Sequence, residues 1–163
     1  MSLGVELPKT KEELSDSLNR ILKFGNHILI EKMILGRELT VPVFGDKALS
    51  PIEIVVDHCS FDYVAKYQGG NQGAKEICPA DIPDGIKNRI CEIAVKLHNA
   101  LSLSVYSRTD FIVDSEGEPW CLEVNTLPGM TPASLIPKAA KVEGYSYEGL
   151  CQRIIDLSME SKQ

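Results

Sequence analysis

Between residues 105 and 125, polar and apolar side chains alternate along two runs separated by Asp114-Ser115-Glu116-Gly117. Alternation with a period of two on both sides of a turn calls for an antiparallel hairpin with one dry face. A loop of four residues, 114–117, pairs Val113 with Glu118, Asp110 with Cys121 and Arg108 with Glu123. Directly opposed and alternate residues share a face. One face should therefore carry Tyr106, Arg108, Asp110, Cys121, Glu123 and Asn125, and the other Val105, Thr109, Phe111, Val113, Trp120, Leu122 and Val124. A one-residue change in the loop would scramble that assignment.

The polar face gathers two carboxylates, a carboxamide and a guanidinium. Asp, Glu and Asn offer hard oxygen donors, which suit magnesium rather than zinc, and magnesium is typically held by one or two carboxylates together with substrate phosphates. An Arg beside them either neutralises the carboxylates or stabilises charge developing on a transferred group. The other reading is a solvated sheet face laced by cross-strand ion pairs. Spacing leaves both open.

The rest of the chain sets a frame for this hairpin. Thr10-Lys11-Glu12-Glu13 spells a capping box, Leu14, Leu18, Ile21 and Leu22 recur at helical spacing, and Gly25 is a stop signal, so a helix is expected over residues 10–24. Apolar-rich runs at 27–34, 38–44 and 48–56, separated by turn signals, read as an antiparallel meander. Periodicity then fails over 57–80, a stretch containing Gln68-Gly69-Gly70-Asn71-Gln72-Gly73; such a loop is either a lid or a plain surface loop. Ile86, Ile90, Ile93, Ala94, Leu97 and Leu101 share one face of a helix starting near Pro83. After the hairpin come a short helix over 133–140 and a last helix capped by Ser146. The fold class is α+β, an antiparallel sheet flanked by helices.

With 163 residues the chain is long enough to bury a real core. No stretch of eighteen apolar residues implies a membrane span, and no basic-then-apolar leader opens the chain. Met1-Ser2-Leu3 reads as an appended tag remnant. The net charge of −6 argues against a nucleic-acid partner. Five cysteines without a Cys-x-x-Cys pair fit reduced thiols in the cytoplasm, and His27, His58 and His98 lack metal-ligand spacing.

Several literal strings sharpen this. Ile30-Glu31-Lys32-Met33-Ile34 with Gly36-Arg37-Glu38-Leu39-Thr40, Pro51-Ile52-Glu53-Ile54, Asp62-Tyr63-Val64-Ala65-Lys66-Tyr67, Cys78-Pro79-Ala80, Arg108-Thr109-Asp110, and Leu122-Glu123-Val124-Asn125-Thr126-Leu127-Pro128-Gly129-Met130-Thr131 stand in one order. Together they resemble the C-terminal half of D-alanine–D-alanine ligases, members of the ATP-grasp superfamily, from Gly4 almost to the end. The resemblance implies ATP and Mg2+ (with Mn2+ as substitute) as cofactors and D-alanine as substrate. Glu31, Lys32 and Ile34 match the segment along the adenine edge, Glu38 the ribose-binding carboxylate, and Lys66 the lysine that reaches the phosphates. Tyr67 matches a lid tyrosine. Asp110, Glu123 and Asn125 match the magnesium ligands, Arg108 and the backbone at Gly129 the oxyanion-stabilising groups, and Ser134 and Leu135 the site for the acceptor's carboxylate.

Ser107 and Leu127 stand where the family more often has glycine and serine, which touches fine substrate geometry only. Tyr67 is the residue expected where a terminal D-alanine is made. The resemblance assigns residues 1–31 to a remnant of the central ATP-grasp subdomain and 32–163 to the C-terminal, nucleotide- and magnesium-binding subdomain. The family's N-terminal substrate domain, its phosphate loop and two further lysines have no counterpart in this sequence. The resemblance thus implies a cytoplasmic, membrane-free chain that is inactive alone. It would need the N-terminal part of the same enzyme, with a homodimer open to the full-length protein. The alternatives are another ATP-grasp carboxylate–amine ligase and a non-catalytic nucleotide-binding module.

Overall fold

The computed structural model describes residues 4–56 and 74–160. The chain divides at Ile34/Leu35 into two compact units.

In the first unit, helix α1 (Lys11–Ile21) starts as its capping box requires. The Thr10 hydroxyl accepts from Glu13 N at 3.1 Å, and the Glu13 carboxylate turns back to accept from Lys9 N at 2.6 Å. The helix ends earlier than expected, with Leu22–Phe24 unwinding as a turn. Glu6 is tied to it by Arg20 and by the buried Ser17 hydroxyl at 2.8 Å. The Arg20 guanidinium, ahead of that hydroxyl, holds the Glu6 carboxyl at about 2. Residues 27–34 do not form the expected strand. Leu29, Ile30 and Met33 are exposed, and no strand among the described residues pairs with them. Strand-forming side chains without a hydrogen-bonding neighbour make no ladder.

The second unit is a six-stranded antiparallel sheet. In chain order its elements are β1 (Arg37–Phe44), β2 (Lys47–Ala48), β3 (Ile52–Val56), β4 (Ala74–Ile77), α2 (Asp84–Ala100), β5 (Tyr106–Val113), β6 (Pro119–Asn125), α3 (Leu135–Val142) and α4 (Tyr147–Glu160). The strand order is β4-β3-β1-β5-β6, and β2 folds back on β1 through a tight turn in which Gly45 adopts φ +63°. Two expectations change here. The run at 48–56 breaks around Ser50-Pro51, and β2 and β3 pair with different stretches of the same edge of β1, Lys47–Ala48 with Val43–Phe44 and Ile52–Ile54 with Glu38–Thr40. Residues 74–77, expected to be irregular, pair with β3. Only Ile77 of that strand is even half-buried, so no apolar alternation announced it.

Strand β1 is central and buried on both faces. Leu39, Val41 and Val43 point to one side, where Phe111 and Val113 of β5 and Ile90 and Ala94 of α2 complete a core. Phe44 and Ile52 point to the other side, against Ile136, Ala139 and Ala140 of α3 and Leu150 of α4. Each fully buried Leu, Ile or Phe contributes roughly 1.5–3 kcal/mol. Helix α2 thus covers one face, and α3 with α4 cover only part of the opposite face. Gly36, at the entry to β1, lies so close to β5 that an added Cβ would sit 2.1 Å from the Val113 carbonyl oxygen.

Candidate functional site

Strand pairing decides which polar residues meet. Thr40 of β1 lies opposite Asp110 of β5, and Asp110 lies opposite Glu123 of β6; Arg108 pairs with Pro42 on one side and Asn125 on the other. Alternate residues share a face, so Glu38, Thr40, Arg108, Asp110, Glu123 and Asn125 stand together. This is the face that α3 and α4 cover only in part.

The expected register was already one residue off at the turn, where Val113 faces Pro119 rather than Glu118, Ile112 faces Trp120 and Phe111 faces Cys121. That offset moves Cys121 and Trp120 to the faces opposite those expected. The ladder then slips again between Phe111 and Asp110. A bulge inserts one extra residue into a strand. Together the two shifts bring Glu123, not Cys121, opposite Asp110, and Asn125, not Glu123, opposite Arg108. The Trp120 indole N–H donates to Asp114 Oδ2 at 2.9 Å, and that bond, ahead of backbone N–H donors from Glu118, Glu116 and Gly117, holds the Asp114 carboxyl below its ordinary range. The same contacts shape the 114–117 turn.

Asp110 is the hub of the patch. Its Oδ1 accepts from Arg108 Nε at 2.9 Å and from the Thr40 hydroxyl at 2.5 Å. Its Oδ2 accepts from Arg108 Nη2 at 2.8 Å and from Asn125 Nδ2 at 3.0 Å. Asn125 Nδ2 also donates to Glu123 Oε1 at 3.0 Å, so one amide group bridges both carboxylates. The Arg108 and Asp110 side chains retain 20% and 18% exposure, enough for a ligand to reach them. The guanidinium pairs with Asp110, and Glu123 adds a second carboxylate to the patch. On the other face, burial and then the Asp110 charge push the Cys121 thiol up.

These residues fit a magnesium ion by donor chemistry: two carboxylates and a carboxamide converge on a single hydrogen-bond donor group, the place where positive charge is favoured. Among the described residues no three His, Cys, Asp or Glu side chains form a cation cage. A magnesium ion that shares its coordination with phosphates requires none.

The second polar group lies just past β6. Ser134 precedes α3, and its hydroxyl accepts from Thr131 N at 3.0 Å and lies 2.8 Å from Thr131 Oγ1. A Cβ at Gly129 would meet that hydroxyl at 3.2 Å, which keeps the Gly129 backbone close to Ser134. The Tyr147 hydroxyl donates to Met130 O at 2.7 Å and ties the loop to α4. Leu135 opens α3 beside Ser134. Glu31, Lys32 and Ile34 lie at the end of the first unit, and Glu38 lies in the first strand of the second. Lys66 and Tyr67, and most of the expected lid, lie outside the described residues. Sequence reasoning passed over Thr40. Its signal is a hydroxyl two positions after Glu38, flanked by Leu39 and Val41, in a strand otherwise apolar from Leu39 to Phe44.

The description "D-ala D-ala ligase C-terminus" belongs to the family model that matches residues 1–156. A D-alanine–D-alanine ligase of Maridesulfovibrio salexigens is 42% identical over 99% of this chain and 53% of its own length. The Bacillus anthracis D-alanine–D-alanine ligase in complex with ATP superposes with a TM-score of 0.78 at 34% identity, over 93% of this chain and 48% of that one. A D-Ala:D-Ser ligase of Enterococcus faecalis gives 0.78 at 31% identity, over 91% and 43%. This chain therefore spans about half the length of the relatives it matches. The antiparallel sheet and its flanking helices are the C-terminal fold of those ligases. The chain belongs to the D-alanine–D-alanine ligase C-terminal family.

Proposed function

We propose that this chain is the nucleotide- and metal-binding C-terminal half of an ATP-dependent D-alanine–D-alanine ligase. It would act in the cytoplasm on peptidoglycan precursors, together with the N-terminal half that its relatives carry. The observation that carries the reading is the convergence of Asp110, Glu123 and Asn125 beside Arg108 on the part of the sheet that α3 and α4 leave open. Its relatives' names and the ATP bound by the Bacillus anthracis enzyme support it.

In this reading one D-alanine carboxylate takes the γ-phosphate of ATP, and the amine of a second D-alanine attacks the resulting acyl phosphate, releasing phosphate through a tetrahedral intermediate. Asp110, Glu123 and Asn125 would hold magnesium, which neutralises phosphate charge. Glu31, Lys32 and Ile34 line the base, and Glu38 binds the ribose. Lys66 meets the phosphates, and Tyr67 closes over the substrates, excluding water from an intermediate prone to hydrolysis. Arg108 and the Gly129 N–H stabilise the oxyanion as it forms. With Thr131 N, and the Thr131 hydroxyl, donating to Ser134 Oγ, the Ser134 proton would go to the acceptor's carboxylate, beside Leu135.

The test uses a full-length protein ending in this chain. D-alanine-dependent ADP release should collapse in Glu123→Gln, which keeps shape and removes charge, with partial rescue by manganese. Wild-type turnover of Glu123→Gln at millimolar magnesium would defeat the metal assignment. The Enterococcus faecalis neighbour keeps a D-serine acceptor in view, and competition between D-serine and D-alanine in the same assay separates the products.

A further inference from the structure

We infer that Thr40 is a positioning residue for the cation-binding carboxylates, fixing the Asp110 side chain without cancelling its charge. The inference rests on the metal role proposed above for Asp110, Glu123 and Asn125. Thr40 is fully buried in the central strand, and its hydroxyl lies 2.5 Å from Asp110 Oδ1, the length of a charge-assisted O–H···O bond. The other acceptor within reach, the Thr109 carbonyl, is 3.4 Å away, so the single hydroxyl proton goes to the carboxylate.

The three donors on Asp110 are not equivalent. Asn125 would itself turn to a cation, so its bond to Asp110 cannot be what holds the carboxylate in the loaded site. Arg108 brings a positive charge that weakens the carboxylate as a cation ligand, and it reaches Asp110 on a long flexible side chain. Thr40 is neutral and β-branched, hence stiff about χ1. It sits on the neighbouring strand at the opposed position. A fully buried hydroxyl is costly unless bonded, and valine would fill the same space without that cost. Stability alone gives no reason for threonine here. Partners that orient metal ligands typically change metal affinity about 10–100-fold when removed.

The experiment measures Mn2+ binding by electron paramagnetic resonance, with ATP present, in full-length protein ending in this chain. Thr40→Val should weaken Mn2+ about tenfold or more, with ATP affinity in the absence of metal and the melting temperature both close to wild type. Thr40→Ser restores the hydroxyl and should bind Mn2+ within about twofold of wild type. If Thr40→Val does not fold, Thr40→Ala is compared with Thr40→Ser in the same way. Wild-type Mn2+ affinity in Thr40→Val, with binding lost in Asp110→Asn, overturns the role of Thr40 and leaves the metal site standing. Wild-type affinity in Asp110→Asn overturns both. A Thr40→Ser variant as weak as Thr40→Val would make the role one of packing and overturn the inference.

Discussion

Gly36→Ala isolates how tightly the sheet that carries the site is built. The new Cβ would stand 2.1 Å from the Val113 carbonyl oxygen, 2.7 Å from its carbon and 2.8 Å from Ile112 Cγ2. Two of these neighbours are backbone, and that backbone is paired with Arg37 in the ladder between the two central strands. The contact falls short of a tolerable separation by about 1 Å, so relief requires β1 to move away from β5. Overpacking of this kind costs about 1–3 kcal/mol, and a backbone neighbour puts the substitution near the upper end. At ~2–4 °C per kcal/mol for a chain of this size, the melting temperature should fall by roughly 5–10 °C. Circular dichroism melts of the 163-residue chain measure it. Gly85→Ala is the control: nothing lies within 4 Å of its added Cβ, and it sits in the first turn of α2, so it should be neutral or gain up to about 0.5–1 kcal/mol. A Gly36→Ala melting point within 1–2 °C of wild type would show that the strands separate easily and would refute the reasoning.

Ser134→Ala should raise the apparent KM for the acceptor D-alanine about tenfold or more in full-length protein, with the KM for ATP unchanged, since a hydrogen bond to a charged group is worth about 1.5–3 kcal/mol; equal effects on both constants would remove Ser134 from the acceptor site. His98 is fully buried; its Nδ1 meets Ser107 Oγ at 2.8 Å, its Nε2 has no hydrogen-bond partner among the described residues, and burial lowers its pKa below the ordinary 6.5. The unfolded chain therefore takes up a proton first as pH falls, and stability held in full above 6.5 drains away below it. Melts between pH 7 and pH 5 should show this slope in the wild type and a flatter one in His98→Gln, and parallel slopes would exclude His98 as its source.

The parts of the fold legible in the sequence are those whose pattern is local. The helix from Asp84 to Ala100 and the buried side of β5 follow from spacing alone, because each side chain's environment is set by its own element's period. Pairing is not local. Residues 27–34 carry strand-forming side chains, but a ladder also needs a neighbour, and that information lies elsewhere in the chain. Ala74–Ile77 is the reverse case: the neighbour β3 supplies the ladder, and the side chains supply almost no signal. The bulge after Asp110 was invisible for a third reason, since neither Gly nor Pro marks it.

The turn offset and the bulge together explain why the right residues were grouped from a wrong register, since two shifts of one residue restore the face. Reading back from the turn put Glu123 opposite Arg108, and the two shifts move it to Asp110, which still leaves Arg108, Asp110, Glu123 and Asn125 on one face. Alternation fixes the company a residue keeps more firmly than it fixes the partner. Energy follows the partner, however. With Asn125 across from Arg108, its amide reaches both carboxylates, and the repulsion between Asp110 and Glu123 is offset by a shared donor as well as by the guanidinium. With Glu123 across from Arg108, the ion pair would have formed there, and Asp110 would have faced only the Cys121 thiol. The shifts thus leave Glu123 without a direct claim on Arg108 and turned toward Asn125. Two one-residue shifts, one at the turn and one at the bulge, separate a neutralised surface pair from two carboxylates positioned to share a cation.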